Sequence, residues 1–519
     1  MTSTRDAPGR IGLVDELSGT ASALTIGDLL RLQTRARPAQ CAVEDDSGRW
    51  TFAQLNERTN RLCHVLGELG IGRGDRVAMF SENRHEYLEV EFACAKLGAI
   101  TCGINWRLAD PELVHCITLT TPKIMLVSER YREVAARIPH GVPTTIQLDA
   151  EYERALAQAD PAEPRGMAQP EDGLLILYTS GTTGLPKGAL ISQRAQVARM
   201  QIACIDFALR PGDSYVAWSP MFHMSASDQS LHTVCMGGKA VLVDGADIPR
   251  IVALAYAEPQ WWLMLLPGMI DRVVHEVQRR SGPPKGVRLV GSSADMMPRT
   301  MIRDTSRAFN APFLNVFGST ETGLPPASKG RFAVGVAPES LAKDVCSMCD
   351  YRLVDAHDVD VPEGEPGELV YRGPALFSGY WNNREANLAA FRNGWYHMGD
   401  MFARQPDGRI NFMDRVKYLI KSGGENIYPA EIERVLLSDT RVDDAVVVRK
   451  PDDRWGEIPV AFVARNDESL TPQVIEEMCR AALARYKRPK EIHLVAFEDF
   501  PRNTTGKILR QEVEKWVKR

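Results

Sequence analysis

The stretch from Tyr178 to Gly188 reads Tyr-Thr-Ser-Gly-Thr-Thr-Gly-Leu-Pro-Lys-Gly. Gly181, Gly184 and Gly188 let backbone N–H groups turn toward one point, and the hydroxyls of Thr179, Ser180, Thr182 and Thr183 add side-chain donors. Lys187 brings a positive charge to the same place. Converging donors and a cation are what the oxygens of a phosphate chain require. The loop is not that of a P-loop kinase, because the Walker pattern sets a glycine directly before the lysine and Pro186 stands there. A Ser/Thr/Gly surface turn is the bland alternative for such a loop taken alone. A second glycine cluster, Gly70, Gly72 and Gly74, lacks the spacing of a dinucleotide loop and precedes its strand, so it reads as a turn.

Such a loop needs a strand to deliver it and a helix to leave it. Leu174 to Tyr178 is a continuous apolar run, as expected of a strand covered on both faces, and an amphipathic helix is expected from Ser192 onward. Ile26 to Arg37 and Phe52 to Leu69 carry apolar residues at helical spacing, while Arg76 to Phe80 and Lys123 to Val127 are short apolar runs bounded by charges, Gly or Pro. Helices and strands alternate, so the fold class is α/β, built on a buried mixed or parallel sheet.

The chain has 519 residues, long enough for more than one domain, and 44% hydrophobic with 25% charged residues is ordinary globular composition. Near residues 411 to 430 the composition changes as Asp414-Arg415-Val416-Lys417 leads into Lys421-Ser422-Gly423-Gly424-Glu425-Asn426. Beyond it, strands are expected at Asp444 to Val448, Pro459 to Val463 and Ile492 to Val495, with helices at Ala430 to Leu437 and Pro472 to Leu483, so a small C-terminal α+β domain follows a large N-terminal one. A net charge of -5 and the absence of a basic stretch argue against nucleic acid as a partner. The ten cysteines are scattered, and the pair Cys346 and Cys349 has no second Cys/His pair nearby, so incidental thiols in a reducing, cytoplasmic setting are expected. The residues to about Ser22 read as a loosely held arm, and no apolar run reaches the ~20 residues of an integral membrane segment. Monomer and homodimer both stay open.

At the Tyr178 to Gly188 loop the sequence resembles the adenylate-forming superfamily of acyl-CoA synthetases, luciferases and peptide-synthetase adenylation domains, and most closely the acyl-CoA synthetases. The resemblance recurs in order from about Leu24 to Arg510, through Asn315-Val316-Phe317-Gly318-Ser319-Thr320-Glu321, Trp395-Tyr396-His397-Met398-Gly399-Asp400, Asp414 to Gly424, and Pro501-Arg502-Asn503-Thr504-Thr505-Gly506-Lys507. It implies sheets layered between helices in an N-terminal domain over 1–415, a hinge at 416–417 with Lys417 as its pivot, and a mobile C-terminal domain over 418–519.

By the same resemblance a small-molecule carboxylic acid and ATP form an acyl-adenylate, and the acyl group then passes to coenzyme A. Lys507, His223, Glu321 and Thr320 take the catalytic roles, with Glu321 holding Mg²⁺. Thr179 to Gly184 and Lys187 hold the β- and γ-phosphates. Ser293, Ala294, Asp295, Phe317, Gly318, Ser319, Thr320, Asp400, Arg415 and Lys507 complete the nucleotide site, with Phe317 facing adenine and Asp400 the ribose. His223, Met224, Ser225, Asp228, Trp262, Ser292, Gly318, Leu324 and Pro325 line the acid pocket, and Gly423 and Gly424 the thiol tunnel. Asp228 is expected on the solvent side of its helix, facing a cation being the other reading. These segments hold no Arg or Lys to pair a second carboxylate, which favours a monocarboxylic acid. The sequence departs from the family at Phe317, where a tyrosine is usual, and at Ser292 to Asp295, where Gly-Gly-Ala-Pro is usual. Transfer to a carrier protein or other nucleophile is the alternative enzyme reading, and a non-catalytic nucleotide-binding regulator the alternative of another class.

Overall fold

The computed structural model describes residues 21–164, 168–179, 185–293, 297–422, 425–502, 506 and 508–518. The chain divides into two compact units, one of residues 1–201, 217–245 and 377–382, the other of 202–216, 246–376 and 383–519. The first twenty residues of the expected N-terminal arm fall outside the described ones.

The first unit is organised by a six-stranded sheet in the order Thr144–Gln147, Ile124–Val127, Arg76–Phe80, Ile100–Gly103, Gly173–Thr179, Lys187–Ser192. All neighbours are parallel except the last two, which pair antiparallel with Thr179 opposite Lys187. Ile124–Val127 and Ile100–Gly103 are buried at every position, the pattern of strands covered on both faces. The Gly70 to Gly74 cluster is a pair of turns, with positive φ at Gly70 (79°) and Gly74 (80°).

Local chemistry sets the helices. Ile26–Ala36 starts at a capping box in which Asp28 N donates to Thr25 Oγ1 (3.2 Å) and Thr25 N donates back to Asp28 Oδ2 (3.1 Å). Helix His85–Leu97 is buried on all sides although it carries Glu89, Glu91 and Lys96. Burying those groups is tolerable because each has partners. Tyr152 Oη donates to Glu89 (2.6 Å), Ser227 Oγ to Glu91 (2.7 Å), and Lys96 Nζ to Asn56, Asn60 and Glu163 (2.7, 2.6 and 2.7 Å). The helix expected from Ser192 runs Gln193–Phe207, yet Gln193, Gln196 and Arg199 are buried along with its apolar residues, so its first half has no broad water-facing side.

In the second unit, Gln260–Met264, Val290–Ser292 and Phe313–Asn315 run parallel, with Arg331–Phe332 antiparallel at the edge. An antiparallel sheet follows: Asp350–Val354, Pro366–Arg372 and Trp395–Arg404, the last also pairing Phe391–Arg392 and Ile410–Arg415. The C-terminal part is a long hairpin, Val442–Asp452 with Gly456–Arg465, flanked by Glu491–Val495 in parallel and by helices Pro429–Leu436 and Pro472–Ala482. Ile432, Leu436, Val447, Ala461, Val463, Ile475 and Cys479 form its core. Cys346 is buried, accepting a hydrogen bond from Ser328 N at 3.4 Å. Among the described residues, no helix is long and apolar enough to cross a membrane.

Candidate active site

Strand Gly173–Thr179 delivers the expected phosphate loop and strand Lys187–Ser192 receives it; residues 180–184 lie outside the described ones. Because Thr179 and Lys187 are directly opposed in the antiparallel ladder, their side chains share one face at the loop's mouth. Thr179 Oγ1 is buried with no hydrogen-bond partner among the described residues. Lys187 Nζ lies 3.9 Å from the centre of the Tyr380 ring. Next to the lysine, the Pro186 carbonyl sits 3.0 Å from His115 Nε2.

In the same unit His223 begins helix Met224–Cys235. Its Nδ1 accepts from Ser225 N (3.2 Å) and lies 2.9 Å from Ser225 Oγ, which in turn is 2.9 Å from Ser219 Oγ. Burial pushes the imidazole pKa down, the Asp228 charge opposing it, so the ring is neutral at pH 7 with Nδ1 as acceptor and the proton on Nε2. The expectation for Asp228 is corrected: it is fully buried, not solvated. Arg199 Nη1 donates to its Oδ2 at 2.9 Å and Gln196 Nε2 to its Oδ1 at 3.1 Å. An isolated buried carboxylate would be prohibitively desolvated, and these donors supply the compensation. Met224 is partly exposed.

The second unit assembles the other nucleotide candidates. Asp400 and Arg415 are cross-strand partners, with Arg415 Nε donating to Asp400 Oδ1 at 3.1 Å. The Asp400 charge holds the Arg415 guanidinium above its ordinary pKa, and the Glu321 charge contributes, so all three ionic groups share one neighbourhood. Glu321 is buried and Thr320 partly so.

The turn carrying Gly318, Ser319 and Thr320 is fixed by two residues absent from the expected set. Thr322 Oγ1 accepts from Ser319 N (3.1 Å) and donates to Pro325 O (2.6 Å); Phe317 N donates to Ser328 Oγ (2.8 Å). Their signal in the sequence is only a hydroxyl residue following a motif. A Cβ on Gly318 would stand 2.0 Å from the Gly323 carbonyl, so the position admits only glycine. Phe317 packs edge-on against Phe402 (4.7 Å between ring centres) and keeps part of its surface exposed.

The acid-pocket candidates of this unit do not all share a wall. Trp262 lies on the face of Gly291, its Nε1 being 3.1 Å from where a Gly291 Cβ would stand, whereas strand alternation turns Ser292 to the other face. Trp262 and Ser292 are both buried, Ser293 is exposed, and Leu324 and Pro325 are buried. Lys417 sits in the short 3₁₀ turn Val416–Tyr418, its Nζ 4.8 Å from the centre of the Tyr418 ring. Asp414, three residues before it, accepts from Arg415 N (2.6 Å) and from Ala430 N at the start of helix Pro429–Leu436 (2.7 Å). Ala294, Asp295, Gly423, Gly424 and Lys507 lie outside the described residues.

The family model of AMP-binding enzymes matches residues 30–381, and that of the AMP-binding enzyme C-terminal domain matches 431–507. The chain belongs to the AMP-binding enzyme family. Within the family it is 32% identical to an indoleacetate–CoA ligase of Aromatoleum aromaticum over 494 residues, 93% of this chain and 96% of the relative. Among solved structures it is similar to a Mycobacterium tuberculosis fatty acyl CoA synthetase, at 29% identity and a TM-score of 0.76, covering 95% of this chain and 98% of that one. It is also similar to ATP-bound MatB from Rhodopseudomonas palustris, at 25% identity and a TM-score of 0.81, covering 95% and 99%. The α/β fold, with a large N-terminal and a small C-terminal domain, is that of these adenylate-forming enzymes.

Proposed function

We propose a two-step course for the reaction of this chain and a role for each of its residues. The protein is an ATP-dependent carboxylic acid:CoA ligase of the AMP-forming type, an acid–thiol ligase working through an acyl-adenylate. In the first step the acid's carboxylate attacks the α-phosphate of ATP and pyrophosphate leaves. Both reactants are anions, so the barrier is lowered chiefly by fixed donors and positive charge around the phosphate. Thr179 to Lys187 hold the β- and γ-phosphates, Thr320 bonds the α-phosphate, and Lys507 meets the charge that develops there. Asp400 accepts the ribose hydroxyls, Arg415 donates to the same nucleotide, and the exposed part of Phe317 faces adenine.

The donor set at Glu321 fits Mg²⁺: a hard carboxylate beside polyphosphate oxygens is how that ion is ordinarily held. When bound it would neutralise phosphate charge. The neutral His223, with its proton on Nε2, serves as a donor at the junction of acid and nucleotide. In the second step the coenzyme A thiol attacks the acyl carbonyl carbon and AMP departs. Lys417 is the pivot between a domain comprising 1–415 and one comprising 418–519, and Gly423 with Gly424 borders the thiol's path. The setting is cytoplasmic, in keeping with the scattered cysteines. The acid is a monocarboxylate with an apolar or aromatic tail, because Asp228 already engages Arg199 and neither is left to face a charged tail.

The observation that carries the nucleotide reading is the convergence of Asp400, Arg415 and Glu321 on one neighbourhood. The test is coenzyme A-dependent AMP formation with indoleacetate, fatty acids of graded length and a dicarboxylate, with acyl-CoA identified by mass. AMP and acyl-CoA are expected in equal amounts with a monocarboxylate. AMP formed without acyl-CoA would move the acceptor elsewhere, and preference for the dicarboxylate would overturn the tail assignment.

A further inference from the structure

The segment 377–382 lies along the outer edge of strand Lys187–Ser192. Leu190 N donates to Gly379 O (3.0 Å), Ser378 N to Leu190 O (2.7 Å) and Trp381 N to Gly188 O (2.7 Å), and Ala189 pairs antiparallel with Tyr380. Side chains alternate along a strand, so Lys187 and Ala189 point to one face, and Tyr380, opposite Ala189, joins them there as the diagonal neighbour of Lys187. The geometry follows: Lys187 Nζ lies 3.9 Å from the centre of the Tyr380 ring, well within the range of cation–π attraction. The ring is itself fixed, 7% exposed and packed edge-on against Phe377 at 4.9 Å between ring centres. One residue before the lysine, the Pro186 carbonyl lies 3.0 Å from His115 Nε2.

A carboxylate in the place of Tyr380 would hold the ammonium equally well, but would cancel the charge that polyphosphate needs. An aromatic face attracts the cation through its quadrupole and leaves the net charge intact. It also limits the rotamers of a long side chain, so less ordering remains to be done when the anion arrives. We propose that Tyr380 is a positioning residue for ATP, holding the Lys187 ammonium at the mouth of the phosphate loop without neutralising it. This rests on the assignment of Lys187 to the β- and γ-phosphates, and it adds a residue from a distant part of the chain to that site.

The test measures equilibrium binding of MgATP and of AMP to the full-length protein without any acid, so that no substrate need be known. Tyr380→Phe should bind MgATP within about threefold of the parent, whereas Tyr380→Leu should weaken it roughly five- to thirtyfold. AMP affinity, which does not involve Lys187, should be unchanged in both. Because the leucine variant could fold poorly, phenylalanines bearing one to four ring fluorines at position 380 provide an isosteric series. MgATP affinity should fall stepwise with each fluorine as the ring face loses its negative character.

In a Lys187→Met background, the leucine and fluorine effects should vanish. A flat fluorine series, or equal loss of AMP and MgATP affinity, would overturn the role of Tyr380. If Lys187→Met itself left MgATP binding untouched, the phosphate assignment would be the part that fails.

Discussion

Arg199 and Asp228 form a buried ion pair, Nη1 to Oδ2 at 2.9 Å, with each side chain 1% exposed. The pair joins helix Gln193–Phe207 to helix Met224–Cys235, the helix that His223 begins. Asp228 also lowers the electrostatic cost of a proton on His223, and raises that of a charge on Glu91. The helix that His223 begins is therefore braced by a buried polar pair and not by apolar packing alone.

Removing one partner of that pair strands a buried charge. Arg199→Met or Asp228→Leu should each cost about 3–5 kcal/mol of unfolding free energy, whereas the double variant should be more stable than either single one. Urea denaturation of the four proteins measures this. Additive losses would mean that the two groups do not depend on each other.

Glu91 supplies the pH dependence. Burial, with the Asp228 charge added, raises its pKa from 4.5 to about 8, against a smaller opposing effect from Ser227. The folded state thus holds a proton that the unfolded state releases above pH 4.5. Stability from this group is complete below about pH 4.5 and falls as pH rises toward 8. Glu91→Gln keeps shape and neutrality, so the gap between variant and parent should widen in the variant's favour from pH 5.5 to 8.5. Parallel denaturation midpoints across that range would refute the assignment.

In the site proposed for the nucleotide, Arg415 is anchored by Asp400 from the neighbouring strand. Asp400→Ala removes the anchor and, on the proposed role, a nucleotide acceptor, and should raise the ATP concentration for half-maximal pyrophosphate release roughly 10- to 100-fold, the worth of hydrogen bonds to charged groups. Arg415→Ala should give a comparable loss, and the double variant much less than the product of the two, because they act as a pair.

On the role proposed for Lys507, Lys507→Ala should separate the two half-reactions. Acid-dependent pyrophosphate release should fall by about 10²–10³, as when a charge-stabilising donor is lost, while acylation of coenzyme A from a supplied acyl-adenylate continues. Equal loss of both steps would defeat a division of labour by domain rotation.

Much of the fold was legible because local chemistry dictates it. Arg76–Phe80 is a strand with the bounds its apolar run suggests, and Gly173–Thr179 exceeds the expected Leu174 to Tyr178 by one residue at each end. The C-terminal strand expected at Asp444 to Val448 spans Val442–Asp452, because pairing with Gly456–Arg465 extends it beyond its apolar centre. The helix after Ser192 and the placement of Asp228 were misread for one reason. Their polar residues look solvated in sequence, yet partners on other helices satisfy them inside.

The residue types alone determined the family and the order of its motifs, because each motif depends on neighbours within a few positions of each other. Tertiary structure decided which charges are paired in the interior and which ring lies beneath Lys187. Tyr380 is 193 residues from that lysine, and Asp228 is 29 from Arg199. Only the register of one strand against another, or the packing of one helix on the next, brings such groups within reach, and no local spacing encodes it.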